Sequence, residues 1–133
     1  MKEKESTIRI FSHWIALSQN TLGLNISTIR KEFSTYRLCL QVYIEKEEQE
    51  TIVDIKLNDR TKLSCHFIEG EICDTSFLYP DRLTDSQIDE YICYLNHTYD
   101  YDFVRGGWIL PNCYFSIKGL QNNYYFMFYK PIT

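Results

Sequence analysis

The last third of the chain decides the fold, and it reads Thr98-Tyr99-Asp100, Trp108-Ile109-Leu110-Pro111-Asn112 and Asn123-Tyr124-Tyr125-Phe126-Met127-Phe128-Tyr129-Lys130. Turn-forming residues separate these aromatic stretches, at Gly106-Gly107, at Pro111-Asn112 and over 119–123. Short strand patterns at intervals of about 8–12 residues are typical of a β-sandwich or a β-barrel. The sequence therefore predicts strands at about 97–104, 107–110, 113–119 and 123–130.

The stretch before it, residues 36–80, repeats the strand pattern. Leu38, Leu40 and Val42 alternate with other side chains, and a period of two indicates a strand. Because only short turns separate the runs, an antiparallel meander of neighbouring strands is expected, with the charged residues 45–50 as a solvated hairpin tip. The strands of this meander are predicted over 36–44, 51–57, 61–68 and 72–79.

Two segments near the amino terminus are candidates for helices. Phe11 and Ile15 belong to a pattern at helical spacing that predicts a helix over 7–18, with Ser6 as its N-cap residue. A strand at the start of the same segment is the alternative. Residues 27–34 are compatible with a second short helix or with the approach to the first strand.

A third segment, 84–95, carries signals for both helix and strand. Thr84 and Gln87 have the spacing of a capping box, and Ile88 begins an apolar pattern at helical spacing. Tyr91-Ile92-Cys93-Tyr94-Leu95 is also rich in residues that favour strands. We predict a helix here, with a strand as the alternative.

Together these elements predict one domain over residues 1–133, mostly β, with one or two helices. Seven or eight antiparallel strands without a repeat or a linker favour a lipocalin-like β-barrel, because closure of the sheet removes its exposed edges. A barrel of about eight strands is wide enough to hold one small ligand.

Composition narrows the classes of function. Hydrophobic residues make up 44% and charged residues 24%, which is ordinary for a globular domain, but 11 Tyr, 8 Phe and 2 Trp make the chain unusually aromatic. These aromatic residues either line a ligand site or simply suit strands. The net charge of −4, with no basic stripe, argues against nucleic-acid binding. No long apolar run and no signal sequence are present, so neither membrane insertion nor secretion is expected.

The cysteines and histidines do not form a recognisable catalytic or metal-binding motif. Five cysteines, widely spaced and without a Cys-x-x-Cys pair, argue against a disulfide framework and a zinc site and favour a reducing compartment. Cys39 and Cys65 lie within strand patterns, where Cys behaves as a small apolar residue. Cys65 and His66 are adjacent, but neighbouring strand residues point to opposite faces, so the spacing does not favour a nucleophile–base pair.

Several stretches resemble the S-type chromophore lyases, which attach linear tetrapyrroles (bilins) to phycobiliproteins. That family has an early Trp followed by Ser-Gln-Arg-Thr, then a Thr-x-Tyr strand, then a Trp strand that leads into Pro-Asn and a basic strand, and a closing strand. The corresponding residues here are Trp14, Ser18-Gln19-Asn20-Thr21, Trp108-Ile109-Leu110-Pro111-Asn112 and 126–130, together with Thr98-Tyr99-Asp100, which is shifted relative to the Thr-x-Tyr of the family.

The chain departs from the family in four places. Two extra residues separate Trp14 from Ser18. Asn20 stands where the family has an arginine, and Cys113-Tyr114-Phe115 stands where it has arginines after Pro-Asn. Residues 36–80 carry no motif that matches. Guanidinium groups are natural partners of the bilin propionates, so Arg105, Lys118 and Lys130 are the candidates to replace them in part.

The resemblance implies that the protein binds a bilin such as phycocyanobilin as its substrate and delivers it to a cysteine of a phycobiliprotein subunit, with no cofactor and no metal. It implies a location in the plastid stroma or in a cyanobacterial-type cytoplasm. Asp100 is then the catalytic candidate, which hydrogen-bonds the pyrrole nitrogens and favours the protonated bilin. The expected ligand-binding residues are Trp14, Gln19, Arg105, Trp108, Asn112 and Lys130.

Two other classes of function remain open. The net charge of −4 and the lack of a catalytic motif are compatible with a small acidic α+β protein-interaction module, such as an adaptor or a toxin-neutralising protein. A lipocalin-type carrier of another apolar ligand is a third possibility. A hollow barrel with Asp100 inside favours the lyase or the carrier, whereas a solid core with an acidic surface favours the interaction module.

Overall fold

Helices form at the three segments with apolar residues at helical spacing. In the computed structural model they are α1 (Lys2–Thr21), α2 (Ile26–Glu32) and α3 (Asp85–Thr98). The structure describes the backbone over 2–45, 48–68, 72–120 and 123–130, and the side chains over 7–42, 50–67, 72–119 and 123–130.

The predicted amino-terminal helix is confirmed and is longer than expected. Because α1 already begins at Lys2, Ser6 lies inside the helix, so its assignment as the N-cap residue is wrong, and so is the alternative of a strand in this segment. The helical alternative for 27–34 is confirmed by α2. The Asn25 side chain caps α2 by accepting a hydrogen bond of 2.8 Å from the Thr28 amide.

The helix predicted at 84–95 is confirmed as α3, and its capping box is present. The Thr84 hydroxyl accepts a hydrogen bond from the Gln87 amide at 3.1 Å, and the Gln87 side chain accepts one from the Thr84 amide at 2.9 Å. Ile88, Tyr91 and Leu95 are buried along one side of the helix. Capping and the amphipathic pattern therefore outweigh the β propensity of 91–95, and the strand alternative is wrong.

The predicted strands are confirmed, with ends that differ by a few residues. The largest difference is at 97–104, which is reduced to a three-residue strand because α3 continues to Thr98. Residues 46–47 of the predicted hairpin tip and residues 121–122 of the last predicted turn lie outside the described residues. The strands are β1 (Arg37–Glu45), β2 (Glu48–Asn58), β3 (Thr61–Ile68), β4 (Thr75–Tyr79), β5 (Asp100–Asp102), β6 (Gly107–Ile109), β7 (Tyr114–Leu120) and β8 (Asn123–Tyr129).

All eight strands form one antiparallel sheet in the order β1-β2-β3-β4-β8-β7-β6-β5. Each half of the chain is a helical segment followed by a four-strand meander, and the last strands of the two halves, β4 and β8, pair at the centre. The predicted meander of β1 to β4 is confirmed. Helix α3 carries the chain from β4 at the centre to β5 at the far edge, so the described strands form an open sheet with β1 and β5 at its two ends. The fold is thus mostly β with three helices, and closure into a barrel is not shown.

The helices cover one face of the sheet, which we call the helix face, and aromatic rings fill the space between them. Phe11 of α1 stacks on Tyr91 of α3 at a centroid distance of 4.0 Å, and it contacts Phe115 of β7 and Phe126 of β8 edge to face at 5.9 and 5.4 Å. These four rings are each at most 1% exposed. Burial of one such side chain contributes about 1.5–3 kcal/mol, so this cluster is a main source of stability. The space between α1, α3 and the centre of the sheet is therefore filled by aromatic side chains.

A small polar seam lies beneath α1 within this core. The Thr21 hydroxyl lies 2.5 Å from the Ser76 hydroxyl, and the Cys73 thiol lies 3.3 Å from the same Ser76 oxygen. A hydrogen bond with Cys73, followed by burial, raises the pKa of Cys65 well above its usual value. The prediction that Cys65 is a buried apolar residue is confirmed, whereas Cys39 is exposed on the edge strand β1, so that prediction is wrong for Cys39.

Candidate functional site

The structure places the residues implied by the family resemblance in three separate groups and not in one cavity. Trp14 and Trp108 lie at two ends of the aromatic core. Gln19 and Lys130 lie next to Cys113 and its neighbour Asn112. The third group is Asp100 and Arg105, near the β5 edge of the sheet.

Both tryptophans pack into the core. The Trp14 ring is half-buried against Tyr91 and Phe126, at centroid distances of 6.5 and 6.2 Å. Trp108 is 6% exposed, contacts Phe115 at 5.9 Å and donates a hydrogen bond of 2.9 Å from Nε1 to Asn96. Each ring is thus fixed by protein contacts, which explains its position without a ligand.

The second group surrounds a buried thiol. Burial raises the pKa of Cys113 to about 11, and a hydrogen bond with Gln19 and the charge of Lys130 oppose that rise in part. Lys130 reaches across to the turn after α1, where a Cβ atom on Gly23 would lie 2.8 Å from the lysine Nζ, and Gly23 also has a φ of +86°. Asn112 is exposed in the turn before β7. Gln19 and Lys130 therefore face a cysteine that stays protonated at neutral pH.

The third group is at the surface. Asp100 is exposed, so it is not enclosed in an acidic pocket on the helix face. Asp100 pairs in register with Ile109, and Ile109 with Tyr114. Arg105 pairs with Asp102 at 3.7 Å, and its guanidinium carbon lies 4.5 Å from the centre of the Tyr114 ring.

Arg105 and Asp100 border the second face of the sheet, which we call the open face because the three helices lie on the other side. Strand alternation directs a band of aromatic side chains to this face of β4, β8 and β7. They are half-buried, although no described helix covers them. The members of this aromatic band are Phe77, Tyr79, Tyr114, Tyr125 and Tyr129.

The rings of the aromatic band contact one another across strands. Tyr79 stacks on Tyr125 at 5.6 Å, and Phe77 lies 6.1 Å from Tyr125. Tyr114 stacks on Tyr129 at 5.6 Å. Burial, followed by the charges of Tyr125 and Asp54, raises the pKa of Tyr79, so its hydroxyl remains a hydrogen-bond donor near neutral pH.

A cation stands over each end of the aromatic band. Arg105 covers Tyr114, and Lys62 Nζ lies 5.1 Å from the centre of the Tyr79 ring. Lys62 also lies 3.9 Å from Asp54, and Asp54 accepts a hydrogen bond of 2.5 Å from the Ser64 hydroxyl. Each cation therefore stands at one end of the band, and Met127 of β8 lies in register between the rings of the two ends.

At the Lys62 end, a cavity of about 460 Å³ opens in this surface. Arg37, Lys56 and Lys62 stand directly opposite one another across β1, β2 and β3, and like charges in that arrangement are destabilising. Among the described side chains, Lys62 pairs with Asp54, whereas Arg37 and Lys56 have no acidic partner within 4.0 Å. The residues that line the cavity include these three cations and Arg60, the two carboxylates of Asp54 and Asp59, and Cys39 and Tyr79, so that basic side chains outnumber acidic ones. This arrangement is suited to an anionic group on a partly apolar molecule.

Sequence reasoning did not identify the open face as a candidate site. The alternation of Phe77 with Leu78 was visible, but alternation alone does not tell which of the two faces the helices cover. Lys56 and Lys62 are far apart in sequence from the aromatic residues of β8, and only the register of the sheet brings them to one surface.

Within the described side chains, the structure brings no three His, Cys, Asp or Glu residues together in a way that suits a metal ion. His66 lies on the face opposite Cys65, as strand alternation predicts, and its Nδ1 atom lies 2.6 Å from a Glu50 carboxylate oxygen. None of the described helices combines the length and the apolar character that a membrane span requires. Comparison of the chain with protein-family models, with curated proteins and with solved structures finds no match.

Proposed function

We propose that this protein is a bilin lyase or chaperone that holds a linear tetrapyrrole against the open face of its sheet and delivers it to a cysteine of a phycobiliprotein subunit. The observation that carries the proposal is the aromatic band with a cation over each end. The sequence motifs that resemble those of S-type lyases also support the proposal, since Asp100 of those motifs borders this face. Arg105, a candidate to replace an arginine of the family, lies there as well.

The chemistry of a bilin suits such a surface. Its conjugated pyrrole rings pack on aromatic side chains such as Tyr79 and Tyr125, and its two propionate groups require cationic partners. Lys56 and Lys62 at the cavity supply one partner, and Arg105 supplies another at the far end. In this proposal Asp100, which is exposed on β5 opposite Ile109, accepts hydrogen bonds from pyrrole nitrogens and so favours the protonated chromophore.

The reaction is the addition of a thiol across the ethylidene double bond of the bilin. The sulfur of the acceptor cysteine bonds to the ethylidene carbon, and the thiol proton is transferred to the chromophore, so no oxidant or reductant is consumed. The nucleophile belongs to the phycobiliprotein, and none of the five cysteines of this chain is required. The role of the lyase is to hold the bilin in one orientation, which lowers the entropic part of the barrier.

The proposal does not depend on a closed, lipocalin-like barrel. Closure requires β1 to pair with β5, which stand at opposite ends of the described sheet. A ligand on the open face is accessible to the acceptor protein in either case. The plastid stroma, or a cyanobacterial-type cytoplasm, is the compartment where the proposed bilin and acceptor meet.

The experiment that tests this function is transfer of phycocyanobilin to an apo-phycobiliprotein subunit. Covalently attached bilin stays with the subunit on a denaturing gel, where its fluorescence in the presence of zinc is measured. We expect attachment that depends on the protein and is lost in the Tyr125→Leu and Lys62→Gln variants. Tyr36→Leu is the matched control, because Tyr36 is also half-buried but packs beside Phe33 on the helix side. Equal transfer by all three variants would contradict a site on the open face.

A second candidate, a non-catalytic interaction module, is favoured by one specific observation. Aromatic rings fill the space between α1, α3 and the centre of the sheet, and Asp100 is exposed and not enclosed. If the wild-type protein neither binds nor transfers the bilin, this second function becomes the better explanation of the fold.

A further inference from the structure

The outer edge of β1 is long and unprotected. No strand pairs with it in the part of the chain that the structure describes, although the strand extends over the nine residues Arg37–Glu45. Natural edge strands are kept from pairing by shortness, by proline or by charged side chains within the strand. Residues 38–44 contain neither a charged residue nor a proline. The backbone N–H and C=O groups along this edge are therefore available to another strand.

The same strand exposes two apolar side chains on its helix face. Leu40 is 44% exposed and Val42 is 49% exposed, because this end of the sheet extends beyond the helices. They are two residues apart and so lie on the same face. An additional strand laid along β1 would cover them.

The charges of the β1–β2 hairpin are arranged with opposite signs at its two ends. Arg37 stands opposite Lys56 at the open end, and Glu45 stands opposite Glu48 at the turn end. Each end alone places like charges side by side, which is unfavourable. A second hairpin laid antiparallel beside the first brings each basic end next to an acidic end.

We propose that β1 pairs antiparallel with β1 of a second copy of this chain, with Gln41 at the two-fold axis. In this register Leu40 of each copy comes opposite Val42 of the other, and Arg37 comes opposite Glu45 at both ends. The contact is isologous, so each favourable pair occurs twice. A parallel pairing in register would instead place Arg37 beside Arg37, and a shift of the axis to residue 40 would place Arg37 opposite residue 43, which is a tyrosine.

The chemistry of β1 thus identifies the partner as a second copy of the same protein. Pairing of one strand on each side buries less area than a standard stable interface, so the dimer dissociates on dilution. It joins two sheets into one of sixteen strands, in which the two open faces are continuous. The test of the dimer uses the protein alone, without a bilin.

The test is sedimentation velocity of the purified protein over a wide range of concentration. We expect a species of twice the 16.0 kDa chain mass that gives way to monomer on dilution. Arg37→Glu and Glu45→Arg each introduce two repulsive pairs and are expected to weaken dimerisation about tenfold, and the double variant is expected to restore it. Val42→Lys is expected to abolish the dimer. Ile10→Lys is the matched control, because Ile10 is 47% exposed on α1, a helix that packs against α3 and β4.

Circular dichroism of each variant separates loss of the dimer from loss of the fold. A wild-type protein that is monomeric at all concentrations would overturn the proposal. So would a dimer that resists Val42→Lys, or charge-reversed variants that are not rescued by their combination, because either result places the interface elsewhere.

Discussion

Ser18 shows at the residue scale how a single hydroxyl affects this fold. It is fully buried on α1, and its hydroxyl oxygen has no hydrogen-bond partner among the described residues. A buried hydroxyl without a partner costs free energy, and alanine also favours a helix more than serine does. We expect Ser18→Ala to raise the free energy of unfolding by about 1 kcal/mol in urea titrations.

The matched contrast is Thr21→Val, three residues further along the same helix. It removes the hydroxyl that lies 2.5 Å from Ser76, so a loss of about 1–2 kcal/mol is expected from a variant of nearly the same volume. Destabilisation by Ser18→Ala would instead indicate that a bound water or another partner satisfies the Ser18 hydroxyl.

The buried side chains of Cys113 and Tyr91 lose a proton only at high pH, and they predict how the free energy of unfolding changes in alkaline solution. Burial raises the pKa of Cys113 to about 11 and, with a smaller effect from Glu90, that of Tyr91 to about 12. In the unfolded chain these groups lose their protons at lower pH, so the stabilisation is complete below their unfolded pKa values and is lost as the pH rises through the folded ones. We expect the free energy of unfolding to fall above about pH 9, by at most about 1.4 kcal/mol per pH unit for each group.

Cys113→Ala isolates one contribution, because it removes Cys113 and leaves Tyr91 and other groups with a raised pKa, such as Cys65 and Tyr79, in place. Unfolding by urea at a series of pH values is expected to give a shallower alkaline decline for this variant. Parallel declines for the variant and the wild type would show that Cys113 does not titrate with folding.

At the scale of elements, the helix signals were local and therefore readable in the sequence. The capping box at Thr84 and Gln87 outweighed a β-prone run because it satisfies amide groups at the start of the helix while the apolar pattern buries one side. We predict that Thr84→Ala lowers the free energy of unfolding by about 1 kcal/mol. Thr84→Ser is the control that keeps the hydroxyl, and equal losses in both variants would contradict the capping role.

Strand positions were predictable for the same reason, whereas strand order was not. Alternation over 36–79 follows from neighbouring residues, and β1 to β4 pair with their neighbours along the chain. The pairing of β4 with β8 depends on the position of β5, the strand that follows α3. Because α3 leads to the far edge of the sheet, the place beside β4 is left for β8. The position of β5 is determined by how α3 packs on the sheet, and a local sequence pattern does not encode that packing.

Cys39 shows the same limit in a single side chain. Its position in an alternating strand was readable, but its exposure depends on its place in an edge strand and on how far the helices extend over the sheet. The candidate site was similarly beyond sequence reasoning, because Lys62, Tyr79 and Tyr125 meet only through the register of β3, β4 and β8. Of the residues implied by the family resemblance, Asp100, Arg105 and Lys118 border that site, and Lys118 pairs in register with Tyr125.

At the scale of the whole molecule, the two faces of the sheet have different roles. The helix face carries the packed aromatic core that supplies stability, and the open face carries half-buried rings with cations at both ends. An aromatic surface that contributes little to the core is available for a flat, conjugated, negatively charged ligand. That division is the physical basis for the proposed bilin site.

The measurement that tests this account most directly is an absorbance titration of the purified protein with phycocyanobilin, in wild type and in Tyr125→Leu. The account predicts a saturable, red-shifted and sharpened band in the wild type, because a bilin held flat against the aromatic band is extended and protonated. It predicts weaker binding in Tyr125→Leu and unchanged binding in Tyr36→Leu. An unchanged spectrum in wild-type protein that is folded by circular dichroism would contradict the bilin site and leave the interaction module as the better account.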